Sequence, residues 1–146
     1  MYPTADSGVR IGQGAGFSTP GVYQFSDGSG LQGVISMTGT KSNDEALLAE
    51  DCPPHLIDGL LLTFEEKTAL VQCGWMPAEH RIALGIALHP DRMSEADWQA
   101  LPGIGPVLAE RIELDRQNNG DFGRLESLRR VKGVGPKRIE TWRTFF

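Results

Sequence analysis

A chain of 146 residues with 40% hydrophobic and 8% aromatic residues can bury one ordinary core or two small ones. Its net charge of −5 excludes a protein that coats nucleic acid over its whole surface, and no run of about 18 apolar residues offers a membrane-spanning helix. The opening MYPTADSGVR has neither the charged start nor the apolar centre of a secretory signal, so the chain is expected to be soluble.

The charge is unevenly placed. Residues Met1 to Met93 include 11 acidic and 5 basic side chains, whereas Ser94 to Phe146 include 8 acidic and 9 basic. In its last stretch, Phe122 to Phe146, Arg124, Arg129, Arg130, Lys132, Lys137, Arg138 and Arg143 face only Glu126 and Glu140. A basic end follows an acidic body.

In chain order, residues 1–20 are rich in Gly, Ser and Thr, and IGQGAGF carries glycines at 12, 14 and 16. A phosphate-cradling loop needs a preceding strand, a following helix and usually a lysine, so a turn or flexible segment is expected here. STPGVYQF then gives a Pro-Gly turn and a β-rich run ending at DGSG. LQGVISMTG, Leu31 to Gly39, places Leu31, Val34, Ile35 and Met37 at near-helical spacing and predicts a short helix packed on a sheet. A second short helix is expected around EALLAE, and LLLTFE and TALVQCGW are expected strands. Cys52 and Cys73 either pair or remain buried thiols, and the sequence leaves both open.

The order of these elements resembles a soluble-ligand-binding β-grasp domain, the likeness resting on PGVYQFSDGSGLQGVISMTG and LIDGLLLTF. Such domains bind different soluble ligands or act as spacers, so the ligand of this one stays open. MPAEHRIALGIALHPDRMS reads as a connector, partly helical from Ala78 to Leu84. Ser94 before EADWQAL is an N-cap, with Glu95 and Asp97 in the first turn where the helix dipole favours them. The expected organisation is a flexible segment 1–16, a β-grasp-like domain 17–76, a connector 77–93 and a helical domain 94–146.

That last domain spells one pattern twice, LPGIGPVLAERI from Leu101 and VKGVGPKRIETW from Val131. Gly103 and Gly105 flank Ile104, and Gly133 and Gly135 flank Val134, so the middle residue plugs a core while the glycines allow a tight turn. Pro106 and Pro136 suit the first position of a helix, whose N–H has no partner within the helix. The free N–H groups beside a bare glycine make a seat for a phosphate oxygen, and backbone amides cannot read bases.

These residues are the helix-hairpin-helix motif in tandem. With the linker DRQNNGDFGRLESL, the pair resembles ComEA-type competence DNA receptors over about the last fifty residues. The fold class is therefore α+β: a small β-grasp-like domain, then an all-α tandem helix-hairpin-helix domain. The resemblance implies binding of double-stranded DNA through its backbone by Gly103, Ile104, Gly105, Gly133, Val134 and Gly135, with Arg111, Lys132, Lys137 and Arg138 as the cations. It also implies an extracytoplasmic location, a role in DNA uptake and protein partners in the uptake machinery. Val107 stands where the family often has a polar residue, while the second copy keeps Lys137 and Arg138, so the second hairpin is expected to grip more strongly.

Other readings compete. Tandem hairpins also serve as protein-interaction scaffolds, as in an extrinsic photosystem subunit, and the basic excess weighs against that use. Trp98, Trp142, Phe145 and Phe146 would stack bases of a single strand, but their helical spacing favours a core. Cys52, His55, Cys73 and His80 have no compact zinc-ligand spacing, and Glu65, Glu66 and Asp91 have no partner implied for acid/base work. No catalytic residue, metal or cofactor is expected, although a cation held by hairpin carbonyls stays open.

Overall fold

The computed structural model describes residues 8–25, 30, 31, 34 and 47–146, and the chain divides into two units, Met1–Met76 and Pro77–Phe146. The first unit is a five-stranded mixed sheet of β1 (Val9–Gln13), β2 (Gly21–Phe25), β3 (Leu47–Leu48), β4 (Leu60–Glu65) and β5 (Leu70–Trp75), in the order β2-β1-β4-β5-β3. β1 pairs antiparallel with β2 and parallel with β4, so a hairpin comes first and a later strand returns beside its first arm. β4 and β5 form a second antiparallel pair, with Leu62 opposite Cys73.

Alternation decides which face is buried. Leu60, Leu62 and Phe64 of β4 point into a core that also holds Val9, Ile11, Phe17 and Val71. Leu31 and Val34 are helical and close that core, while the rest of the helix expected over Leu31 to Gly39 lies outside the described residues. Cys52 and Cys73 form a disulfide, which ties the segment after β3 to β5 and settles the alternative left open by the sequence.

Two expectations are corrected here. Part of the segment expected to be flexible, 1–16, is β1, paired on both sides. Its glycines hide the strand signal because they serve close packing. A Cβ on Gly12 would lie 2.9 Å from Leu61 Cδ1, and one on Gly16, which has φ +87°, would lie 2.1 Å from the Phe64 carbonyl oxygen. The stretch around EALLAE, expected as a helix, contains β3, because Leu47 and Leu48 find β5 as a parallel partner.

The second unit is helical: α1 (Ala78–Ala83), α2 (Glu95–Trp98), α3 (Pro106–Asn119) and α4 (Pro136–Trp142), with 3-10 turns at Pro90–Arg92, Leu125–Arg130 and Arg143–Phe145. The segment 77–93, expected as a connector, packs into this unit: Ala78, Leu88 and Met93 are buried with Trp98, Ile112, Leu128 and Trp142. Trp98 and Trp142 have no exposed surface, so they are core and not stacking platforms for bases.

A buried polar clamp explains how 77–93 is held. Arg81, 1% exposed, donates to Asp97 Oδ2 at 3.3 Å and to the Arg92 carbonyl at 3.0 Å. Burial pulls its guanidinium below the usual arginine range, and Asp97 partly offsets this. Asp97 also accepts from the Ala78 and Ser94 amides, and the Ser94 hydroxyl accepts from the Asp97 amide, which completes a capping box for α2. One carboxylate thus serves three donors from two helices.

Candidate nucleic-acid interface

Each hairpin is built the same way. In the first, α2 runs into the turn Leu101–Gly105 and out into α3; in the second, the 3-10 helix Leu125–Arg130 runs into Val131–Gly135 and out into α4. Ile104 and Val134, each 6% exposed, insert into the core and anchor the turns. Their side chains are therefore unavailable to a ligand.

The two glycines of each turn do different things. Gly103 at φ +81° and Gly133 at φ +99° occupy backbone conformations that favour glycine. Gly105 and Gly135 are extended N-caps at φ −96° and −108°, open to any residue, and a Cβ there meets no other part of the molecule within 4 Å. The chain's own packing does not require glycine at these two positions. What glycine leaves there is open space beside the start of a helix.

Neither helix start carries a side-chain cap, and proline stands at N1 in both. The carbonyls of Gly105 and Gly135 accept the first helical bonds, from Ala109 and Ile139. The amides of the intervening residues are the unpaired donors that such a start presents, with the dipole favouring an anion before them. Gly103, Gly105 and Gly133 are exposed and Gly135 is half-buried, so neither corner is covered.

The hairpins reach across to each other. From α4, the Arg138 guanidinium donates to the Gly103 carbonyl at 2.8 Å, and the Trp142 indole donates to the Pro102 carbonyl at 2.9 Å. From α3, Arg111 Nη1 and Leu108 Cδ1 each lie 3.5 Å from the position a Cβ on Gly133 would take. Thirty positions separate Leu108 from Arg138, the same offset that separates Gly103 from Gly133, so Leu108 over Gly133 and Arg138 over Gly103 are the two halves of a pseudo-two-fold contact. The linker between hairpins is fixed too, because the Asp91 carboxylate accepts from the Phe122 and Gly123 amides at 2.7 and 2.8 Å.

The basic end sorts into engaged and available cations. Arg130 pairs with Asp115 and stacks over Phe122 at 4.3 Å, and Arg143 pairs with Glu126 and Glu140. The hydrogen bond from Arg143 holds the Glu126 carboxyl below the usual carboxylate range. Lys132, Lys137, Arg138 and Arg111 are exposed, and among the described residues no ion pair occupies them. Sequence reasoning counted seven basic residues alike; distinguishing those consumed by the fold required the positions of Asp115, Glu126 and Glu140.

Among the described residues, no cluster of His, Cys, Asp and Glu is placed to hold a metal ion, and the disulfide takes both sulfurs of the cysteine-histidine set weighed above. What the unit presents instead is a pair of glycine-cornered helix starts with cations beside them.

That construction defines a tandem helix-hairpin-helix domain, and residues 92–146 match the family described as the helix-hairpin-helix motif. The chain is also similar to ComE operon protein 1 of Bacillus subtilis (strain 168), at 27% identity over 124 residues, which cover 83% of this chain and 60% of that protein. The chain thus spans somewhat less than two thirds of that protein's length.

Proposed function

We propose that the protein binds double-stranded DNA through the phosphate backbone, without regard to base sequence, and acts as a competence-type DNA receptor. The observation that carries this reading is the open space over Gly105 and Gly135, beside helix starts that no side chain caps. Amide N–H groups there donate to anionic oxygens and carry no information about bases. The available cations Arg111, Lys132, Lys137 and Arg138 supply the counter-charge, and the helix-hairpin-helix match and the similarity to a ComE operon protein support the same reading.

The role is one of binding, without catalysis. An extracytoplasmic location is part of the proposal, and the Cys52–Cys73 disulfide supports it, since such bonds persist in oxidising compartments. Among the described residues no helix is long and apolar enough to cross a membrane. Partners in an uptake machinery and a soluble ligand for the first unit belong to the same proposal.

The test is fluorescence anisotropy of the whole chain with two duplexes of unrelated sequence over a range of salt. Equal affinities that fall with log[salt] along a common slope support backbone recognition. Absence of binding at low salt would overturn it in favour of a protein-interaction scaffold.

A further inference from the structure

Chain position assigns Lys137 and Arg138 to the second hairpin, but space gives them to the first. A groove of about 340 Å³ is lined by Pro102 and Gly103 of the first turn and by Lys137, Arg138, Thr141 and Trp142 of α4. No carboxylate lines it. The Thr141 hydroxyl donates to the Lys137 carbonyl and the Trp142 indole to the Pro102 carbonyl, so both are spent. The donors that remain are the Lys137 ammonium and the Arg138 N–H groups not used on Gly103. One guanidinium nitrogen, fixed on that carbonyl at 2.8 Å, orients the rest of the planar fork.

We propose that this groove is a single phosphate seat shared by the two hairpins, in which Lys137 and Arg138 neutralise the phosphate presented to the first turn. The first hairpin has Val107, 64% exposed, where the second has Lys137, and it takes its cations from the other copy. The proposal rests on the DNA-binding reading and deepens it. The unequal spelling of the two repeats then has a physical sense: the basic letters of one copy complete the neutral turn of its neighbour. A second groove carrying arginines, lined in part by Arg124 and Arg143, also contains Glu126, which already pairs with Arg143. Its positive charge is therefore partly compensated, whereas no carboxylate lines the groove of Lys137 and Arg138.

The test uses the full chain, isotopically labelled, titrated with a short duplex. The seat predicts shifts in the Trp142 indole N–H and Gly103 amide resonances, with the Trp98 indole, buried and outside the groove, staying in place. It also predicts that Lys137→Gln and Arg138→Gln together reduce the salt slope by about 0.9, the value for one phosphate, and not by about twice that. The single Lys137→Gln variant, which leaves the bond to Gly103 intact, should account for part of that reduction. If the duplex binds while Trp142 and Gly103 stay unmoved, or the double variant loses the slope of two phosphates, the shared seat is overturned and DNA binding stands. If no duplex binds, both fall.

Discussion

The Arg138 guanidinium donates to the carbonyl of Gly103, so a side chain from the helix after the second turn closes over the backbone of the first. With the bond from the Trp142 indole to Pro102, α4 holds the first turn at two successive carbonyls. The spacing of the hairpins is thereby set by the unit itself before any ligand arrives. Preorganisation of this kind removes an ordering cost from binding.

The first glycine of each turn is predicted to be a stability position. Gly103→Ala and Gly133→Ala force an L-residue into a left-handed backbone, at a cost of about 1–2 kcal/mol each. At Gly103 the added methyl also lies 3.2 Å from Arg138 Nη1 and presses on the cross-hairpin bond. Urea unfolding measures the cost; wild-type stability for both variants would show that the turns relax into another conformation.

Asp97 is predicted to be the most costly single polar residue of the second unit. Asp97→Ala removes the partner of Arg81, leaving a buried unpaired charge, and takes away half of the α2 capping box. The combined loss is expected at about 3–5 kcal/mol. Thermal unfolding of the variant checks this. A change below about 1 kcal/mol would mean that the clamp is hydrated and contributes little.

Reduction of the disulfide, or its replacement through Cys52→Ser with Cys73→Ser, is predicted to weaken the first unit. Closing a loop of 21 residues contributes about 3 kcal/mol in the chain-entropy account. The second unit has its own core and no cysteine, so its unfolding transition should not move. Calorimetry with and without reductant distinguishes the two transitions, and equal shifts in both would contradict this division.

The hairpins were legible in the sequence because their chemistry is local: glycine at φ > 0, an apolar plug and a proline at N1 lie within a few positions of one another. β4 and β5 were legible for a similar reason, as short apolar runs separated by a charged turn at Glu66 and Lys67. β1 was not, because Gly12 within it answers to Leu61 and Met76, and Gly16 just after it to Phe64, all of them far along the chain. The packing of 77–93 was hidden in the same way, since Arg81 looks like a surface residue until Asp97 is placed beside it. The most consequential gap was electrostatic. A count along the chain cannot say that Arg143 and Arg130 are consumed by Glu126 and Asp115, or that Lys137 and Arg138 line a groove with Gly103.

The central claim is that bare amides at two helix starts receive phosphate oxygens, and the most direct measurement is duplex affinity of the double variant Gly105→Thr with Gly135→Thr. Threonine and glycine rank alike as N-caps, both positions have extended backbone, and the added atoms enter open space, so folding stability should hold within about 0.5 kcal/mol. The threonine hydroxyl caps the same amides and its methyl fills the approach to them. The account predicts a loss of at least about tenfold in affinity, some 1.4 kcal/mol, in a protein that melts as the wild type does. Wild-type affinity and salt slope in that folded variant would contradict it.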